Sequence, residues 1–143
     1  MAGSLEGINV LDLTHALSGP FCSMLLAELG ANIIKIEPPS GDHFRPANNG
    51  STFAVVNRNK RSICIDLKNP ESVKVMNSLI SRSDIMLENF TPGTARRLGY
   101  DYERVKKIKT DIIYASISGF GQSGPYRDLK GYDALAQAMS GIM

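Results

Sequence analysis

The 143-residue sequence has no tryptophan, only two cysteines and few aromatic residues. Cys22 and Cys64 are too few for a disulfide framework or a cysteine-based metal site. Each lies among apolar residues, so we expect both thiols to be buried and unreactive. No apolar run approaches the roughly 20 residues of a membrane span, and the N-terminus lacks the pattern of a signal peptide. These absences predict an intracellular protein, cytoplasmic by default with a mitochondrial location possible, and no membrane contact.

An excess of charge of one sign is also missing. The formal net charge is only +2, which argues against nucleic acid as a partner, since that usually requires a concentrated basic face. Hydrophobic residues make up 43% of the chain and charged residues 21%, as in ordinary globular proteins. A chain of this length is sufficient for one domain with its own core.

What the sequence does contain is an alternation of strand and helix patterns. Buried strands are predicted at 8–13, 32–36, 62–66, 85–87 and 112–117. Helices are predicted at 21–29, from Asn69-Pro70-Glu71 onward, from Thr91-Pro92 onward, at 102–109 and at 131–143. The predicted apolar face of the second helix consists of Val73, Val75, Met76, Leu79 and Ile80. Residues 40–51 are a predicted loop, and 53–57 are ambiguous. This order predicts an α/β fold, a Rossmann-like, mostly parallel sheet with helices on both faces.

The loops that follow the strands are the predicted ligand site. In parallel sheets of this kind, ligands bind beyond the carboxyl ends of the strands. The loops at that edge are rich in Gly, Pro and polar residues, and they cover 14–20, 37–45, 66–69, 88–93 and 118–131.

The most informative stretch is DIMLENFTPGTARRLG, residues 84–99. It offers an aromatic ring at Phe90, a predicted helix start at Thr91-Pro92, and two guanidinium groups at Arg96 and Arg97. A helix N-terminus and arginines favour an anion, so these parts suit a ligand with an aromatic base and phosphates. The alternative is an ordinary strand–helix unit with surface arginines.

Other candidate residues permit two interpretations. His15 lies where a catalytic base could sit, but a lone histidine is more often structural and no triad spacing supports it; His43 is expected to be exposed. The loop SGFGQSGP, residues 118–125, lacks the ending of a P-loop, so its glycines are read as permitting flexibility or close approach of a ligand. Lys130 is a solvated charge or a phosphate contact. Asp133 complements a helix N-terminus or lines the ligand site.

Six segments, in order and with matching spacing, carry a family resemblance: LEGINVLDLTHALSGP (5–20), LGANIIKIEPPSGD (29–42), NRNKRSICIDLK (57–68), ENFTPGTARRLG (88–99), SISGFGQSGPY (116–126) and GYDALAQAMSGIM (131–143). Together they resemble the family III CoA transferases, a superfamily that includes formyl-CoA transferase, carnitine CoA-transferase and α-methylacyl-CoA racemase. The resemblance implies that residues 1–143 are the N-terminal, CoA-binding part of the family domain, with the C-terminal remainder absent.

The resemblance implies coenzyme A or an acyl-CoA as substrate, a carboxylic acid as the second substrate, and no permanently bound cofactor or metal. Carried over by position, the CoA contacts fall on Ser18, Ile65, Asp66, Leu67, Lys68, Asn89, Phe90, Thr91, Arg97, Lys130, Tyr132 and Asp133. Leu17 and Pro38 replace a glutamine and a CoA-contacting arginine of formyl-CoA transferase. Those two differences count against the formyl/oxalyl substrate pair.

The resemblance also implies a covalent mechanism. An aspartate attacks the thioester to give an acyl-aspartyl anhydride and CoA thiolate, and the acceptor acid becomes the new thioester. The nucleophile is expected beyond Met143, so no catalytic residue is assigned here, and Tyr132 and Asp133 are expected to line the site. The apolar helical ending at Met143 predicts a fragment. We expect it to be inactive alone, because the family's intertwined homodimer needs the remainder.

Two other functions are considered. An α-methylacyl-CoA racemase carries a histidine at the position of Tyr132, and a phenol is a poor base near neutral pH, which favours the transferase. A non-catalytic CoA-binding or regulatory fragment is the third hypothesis.

Overall fold

The computed structural model describes residues 3–143. Its five strands form one parallel sheet in the order β3-β2-β1-β4-β5. The strands are β1 (Asn9–Asp12), β2 (Asn32–Glu37), β3 (Lys60–Cys64), β4 (Ile85–Glu88) and β5 (Ile113–Ser116). This is the order of the first five strands of the doubly wound nucleotide-binding sheet, so the predicted fold class is confirmed.

In the described residues, six helices connect or follow these strands. They are α1 (Ser18–Glu28), α2 (Ser51–Asn57), α3 (Ser72–Ser81), α4 (Thr94–Leu98), α5 (Tyr102–Ile108) and α6 (Asp133–Ser140), with a short 3-10 turn at Ala47–Gly50. The ambiguous segment 53–57 is therefore helical. Within residues 3–143, each helix is too short or too polar to cross a membrane.

Two apolar clusters cover opposite faces of the sheet. Successive side chains of a strand point to opposite faces, and β1 shows this directly. Val10 joins a cluster with Ala27 of α1, whereas Leu11 joins a second cluster with Met76 of α3 and Val105 of α5. The predicted helices on both faces are thus confirmed.

The predicted helix start at Thr91-Pro92 is wrong. The N–H of Thr94 donates to the carbonyl of Thr91 (3.0 Å), and Gly93 has φ 83° and ψ −14°, as a type II turn requires at its third residue. Pro92 is the second residue of that turn. The Pro-Gly pair therefore makes a turn, and α4 begins only after it.

Several other boundaries also differ from the prediction. The third helix begins at Ser72 instead of residue 70, because the side chain of Asn69 accepts the N–H of Glu71 (3.0 Å) in a turn before the helix. In addition, α1 starts three residues early because Pro20 fits its first turn. The third strand lies at 60–64 instead of 62–66, and the last helix at 133–140 instead of 131–143.

Two burial predictions are also wrong. Cys64 is exposed, because β3 is an edge strand of the sheet and carries exposed side chains along most of its length. Cys22 is half-buried. On α3 only Met76 and Ile80 are buried, while Val73 and Val75 are 45% and 46% exposed. The apolar face of α3 is therefore narrower than predicted.

Candidate functional site

The loops after β1 and β4 are joined by one asparagine side chain. These neighbouring strands flank the point where the strand order reverses, which is where doubly wound sheets bind ligands. The Asn89 Oδ1 accepts the N–H of His15 (2.8 Å), and its Nδ2 donates to the carbonyl of His15 (2.7 Å). The amide side chain of Asn89 thus forms hydrogen bonds with the backbone N–H and carbonyl groups of the loop after β1.

Phe90 lies at the centre of the crevice. Its N–H donates to Glu88 Oε2 (2.8 Å), and its ring centroid lies 6.0 Å from that of His15. Glu88 is buried at the end of β4 and also accepts the hydroxyl of Ser116. Burial raises the pKa of Glu88 despite these hydrogen bonds. The position of Phe90 is therefore set by the strand end beneath it.

Three cavities meet at Phe90. The largest, about 1,210 Å³, lies between the loops after β1 and β4 and the start of α6, the second holds about 410 Å³ and the third about 130 Å³. The sequence-predicted contacts that line the first two are Ser18, Asn89, Phe90, Thr91, Lys130, Tyr132 and Asp133. The smallest cavity is lined by Phe90 and by residues 65–68. Eleven of the twelve predicted contacts therefore line connected parts of one crevice.

Arg97 is the exception, because it lines none of these three cavities. It is exposed on α4, and its Nη2 donates to Thr94 Oγ1 (2.7 Å). Thr94 lines the largest cavity. The guanidinium of Arg97 is thus tethered at the rim of the crevice.

The glycine-rich loop contributes through a backbone contact. A Cβ at Gly119 would lie 2.2 Å from the Cα of Gly131, and the reverse substitution would meet Gly119 Cα at the same distance. Only glycine at both positions permits this approach. It places Lys130 and Tyr132 on the same cavity wall as Ser118.

A buried ion pair supports the loop after β1. Asp12, at the end of β1, accepts the N–H of Thr14 (2.8 Å) and the hydroxyl of Ser23 (2.6 Å) and pairs with Lys60 Nζ (3.1 Å). Lys60 also donates to the carbonyl of Pro20 (2.8 Å), and burial lowers its pKa. The Asp12–Lys60 pair therefore holds both the loop after β1 and the first turn of α1 in place.

A second buried pair supports the same loop from β2. Lys35 is 1% exposed; its Nζ donates to the carbonyl of Thr14 (2.6 Å) and lies 3.0 Å from Asp42 Oδ2. Asp42 Oδ1 accepts the N–H groups of Phe44 (2.9 Å) and Ala16 (3.3 Å). Burial opposes ionisation of Asp42, but these hydrogen bonds and Lys35 lower its pKa. Ala16 is held at φ 64°, an uncommon conformation for a residue with a Cβ.

A third carboxylate fixes the loop after β2. Glu37 Oε2 and Oε1 accept Nε and Nη2 of Arg45, each at 2.6 Å, and Ser62 donates its hydroxyl to the same carboxylate. Burial raises the pKa of Glu37, but these contacts outweigh burial and hold the pKa at about 2. The Arg45 guanidinium lies 4.0 Å from the ring centroid of Phe53, which connects the loop to α2.

The sequence and fold of the chain are similar to those of known proteins. The sequence pattern of CoA-transferase family III matches residues 5–143. The chain belongs to this family. It is 46% identical to the formyl-CoA:oxalate CoA-transferase of Streptomyces avermitilis, over 100% of this chain and 36% of that protein. It is 47% identical to the succinyl-CoA:glutarate CoA-transferase of Mus musculus, over 97% of this chain and 34% of that protein.

Solved structures show the same relationship. A CAIB/BAIF family protein from Brucella suis is 37% identical and superposes with a TM-score of 0.95, covering 100% of this chain and 40% of that one. This CoA-transferase family III chain thus spans about a third of the length of the curated relatives named above.

The buried charged residues of this family III chain were not predicted from the sequence. Their signal is present in the strands: Asp12 in NVLD, Lys35 in NIIKIE and Glu88 in IMLE are charged residues within otherwise apolar strands. A charge in a buried strand must be paired or hydrogen-bonded. That rule predicts a polar layer beneath the ligand loops, although it does not identify the partners.

Proposed function

We propose that residues 1–143 form the N-terminal, CoA-binding part of a cytoplasmic, homodimeric enzyme that transfers coenzyme A between an acyl-CoA thioester and a carboxylic acid. The observation that carries this proposal is the meeting of three cavities at Phe90, lined by residues from five separate segments. Membership in CoA-transferase family III supports it. Coenzyme A enters as the thioester of the donor acid and leaves as the thioester of the acceptor acid, while the donor acid is released as its carboxylate.

The shape and charge of the crevice suit this ligand. Coenzyme A is elongated, with an aromatic base and phosphates at one end and a thiol at the other. Lys68 and Lys130 line different cavities on two sides of Phe90, and Arg97 lies at the rim. Cationic side chains at such positions favour phosphate groups through charge-assisted hydrogen bonds.

The proposed chemistry is transfer through an acyl-aspartyl anhydride. Two aspartates near the crevice, Asp12 and Asp42, are held in buried ion pairs, and Asp133 accepts a hydrogen bond from Gln137 (2.6 Å). The resemblance to the family implies that the nucleophilic aspartate lies outside residues 3–143, and we adopt that placement. Tyr132 stands where a racemase would need a histidine, and the named relatives above are transferases, so the racemase is the less favoured function.

Calorimetric titration with CoA at fixed salt tests the proposal. We expect saturable binding by the 143-residue chain. Arg97→Ala should weaken it about ten-fold, because a phosphate contact contributes about 1.4 kcal/mol. Arg82→Ala removes an exposed arginine at the end of α3 and should change the Kd less than two-fold. Absence of saturable binding would refute the proposed function, and equal effects of both variants would refute the role of Arg97.

A further inference from the structure

His15 occupies the junction between two of the cavities. It lines both the 1,210 Å³ cavity and the 130 Å³ cavity, and its side chain is 21% exposed. Its ring centroid lies 6.0 Å from that of Phe90 and 6.0 Å from that of His43. A ligand that extends from residues 65–68 to Tyr132 must therefore pass the exposed edge of the His15 imidazole.

The two ring nitrogens of His15 have different surroundings. Nδ1 is buried and makes no hydrogen bond to the part of the chain that the structure describes. It faces Asp42 Oδ2 at 3.8 Å, and Lys35 and the N–H of Phe44 fix that carboxylate. A proton on Nδ1 is favoured beside a negative oxygen, which leaves the lone pair on Nε2.

The surroundings of His15 favour the neutral imidazole. Burial and the positive charge of Lys35 lower the pKa of His15, and His43 acts in the same direction. Asp42 and Asp12 oppose this shift without reversing it. At neutral pH the ring can therefore accept a hydrogen bond.

We propose that His15 is a ligand-contacting residue, whose Nε2 accepts a hydrogen bond from a donor on the pantetheine arm of CoA. This inference rests on the proposed function, since it takes CoA as the ligand of the crevice. The arm carries amide N–H groups and, in free CoA, a thiol S–H. Both are donors, and both match an acceptor nitrogen at the junction of the cavities.

A ring variant and a remote control test this contact. His15→Phe keeps an aromatic ring against Phe90 but removes the acceptor, whereas Asn77→Ala changes an exposed side chain of α3 that lines none of the three cavities. With circular dichroism as the folding control, we expect His15→Phe to raise the Kd for CoA about five-fold and Asn77→Ala to change it less than two-fold. S-methyl-CoA distinguishes the donors: an equal loss with both ligands identifies an amide, and a loss with CoA alone identifies the thiol.

Nitrogen-15 NMR of the histidine side chains gives a readout that a purely structural role would not change. CoA should shift the Nε2 resonance of His15 and leave the proton on Nδ1. If Nε2 carries the proton in the complex, or if CoA leaves both nitrogens unchanged, the inference is overturned. If the wild-type chain binds CoA and His15→Phe binds it equally well, the inference fails alone; if the wild-type chain does not bind CoA, the proposed function fails with it.

Discussion

Removing the Asn89 side chain should separate the two loops that form the crevice. Asn89→Ala eliminates hydrogen bonds of 2.8 and 2.7 Å to the backbone of His15 and leaves an N–H and a carbonyl without their partner. Each such part-buried hydrogen bond contributes about 0.5–1.5 kcal/mol. We therefore expect the free energy of unfolding to fall by about 2 kcal/mol.

Urea denaturation, followed by far-ultraviolet circular dichroism, measures this change. Asn77→Ala is the matched control, since Asn77 is exposed on α3, and its effect should stay within about 0.5 kcal/mol. CoA affinity should also fall in Asn89→Ala, because the loop that carries His15 loses its attachment to the loop after β4. A variant that unfolds at the wild-type urea concentration would refute the view that Asn89 holds the crevice together.

Three further predictions concern the buried charges and the thiols. Lys60→Met should destabilise the chain by about 3 kcal/mol in urea denaturation, because it leaves Asp12 buried without its cation; a loss below 1 kcal/mol would contradict this. The pKa of Glu37, about 2 against an ordinary 4.5, means that its stabilising contribution is complete above pH 4.5 and is lost as pH falls toward 2. Between those pH values the free energy of unfolding of the wild type should therefore fall by about 1–2 kcal/mol more than that of Glu37→Gln. The expected difference is kept small because Arg45 is half-exposed and solvent weakens its pairing with Glu37. Parallel dependence of the two stabilities on pH would exclude this role of Glu37. Cys64 should react with a thiol reagent much faster than Cys22, in accord with their exposure, and peptide mapping that finds Cys22 labelled first would contradict the structure.

The sheet was predictable because its strands are short apolar runs in a regular alternation. Runs such as INVLDL and NIIKI have one stable arrangement when helices separate them, a parallel sheet covered on both faces. That arrangement places every ligand loop at one edge, and the crevice around Phe90 lies there.

The remaining features depend on contacts that a local pattern does not contain. Pro92 is compatible with both a helix start and a turn, and Gly93 at positive φ decides for the turn. Asn89 and His15 are 74 positions apart, so only the pairing of β1 with β4 brings them together. Lys60 stands next to Arg61 in the sequence, and no local pattern shows that it pairs with Asp12, 48 positions away.

Hydrogen–deuterium exchange of the chain with and without CoA tests the central claim most directly, because it reports which backbone segments the ligand covers. The account predicts slower exchange in four separated segments, 15–18, 65–68, 89–91 and 130–133, at CoA concentrations that saturate the calorimetric signal. Saturable binding with protection confined to another surface, such as the outer edge of β3, would contradict the placement of CoA in the crevice.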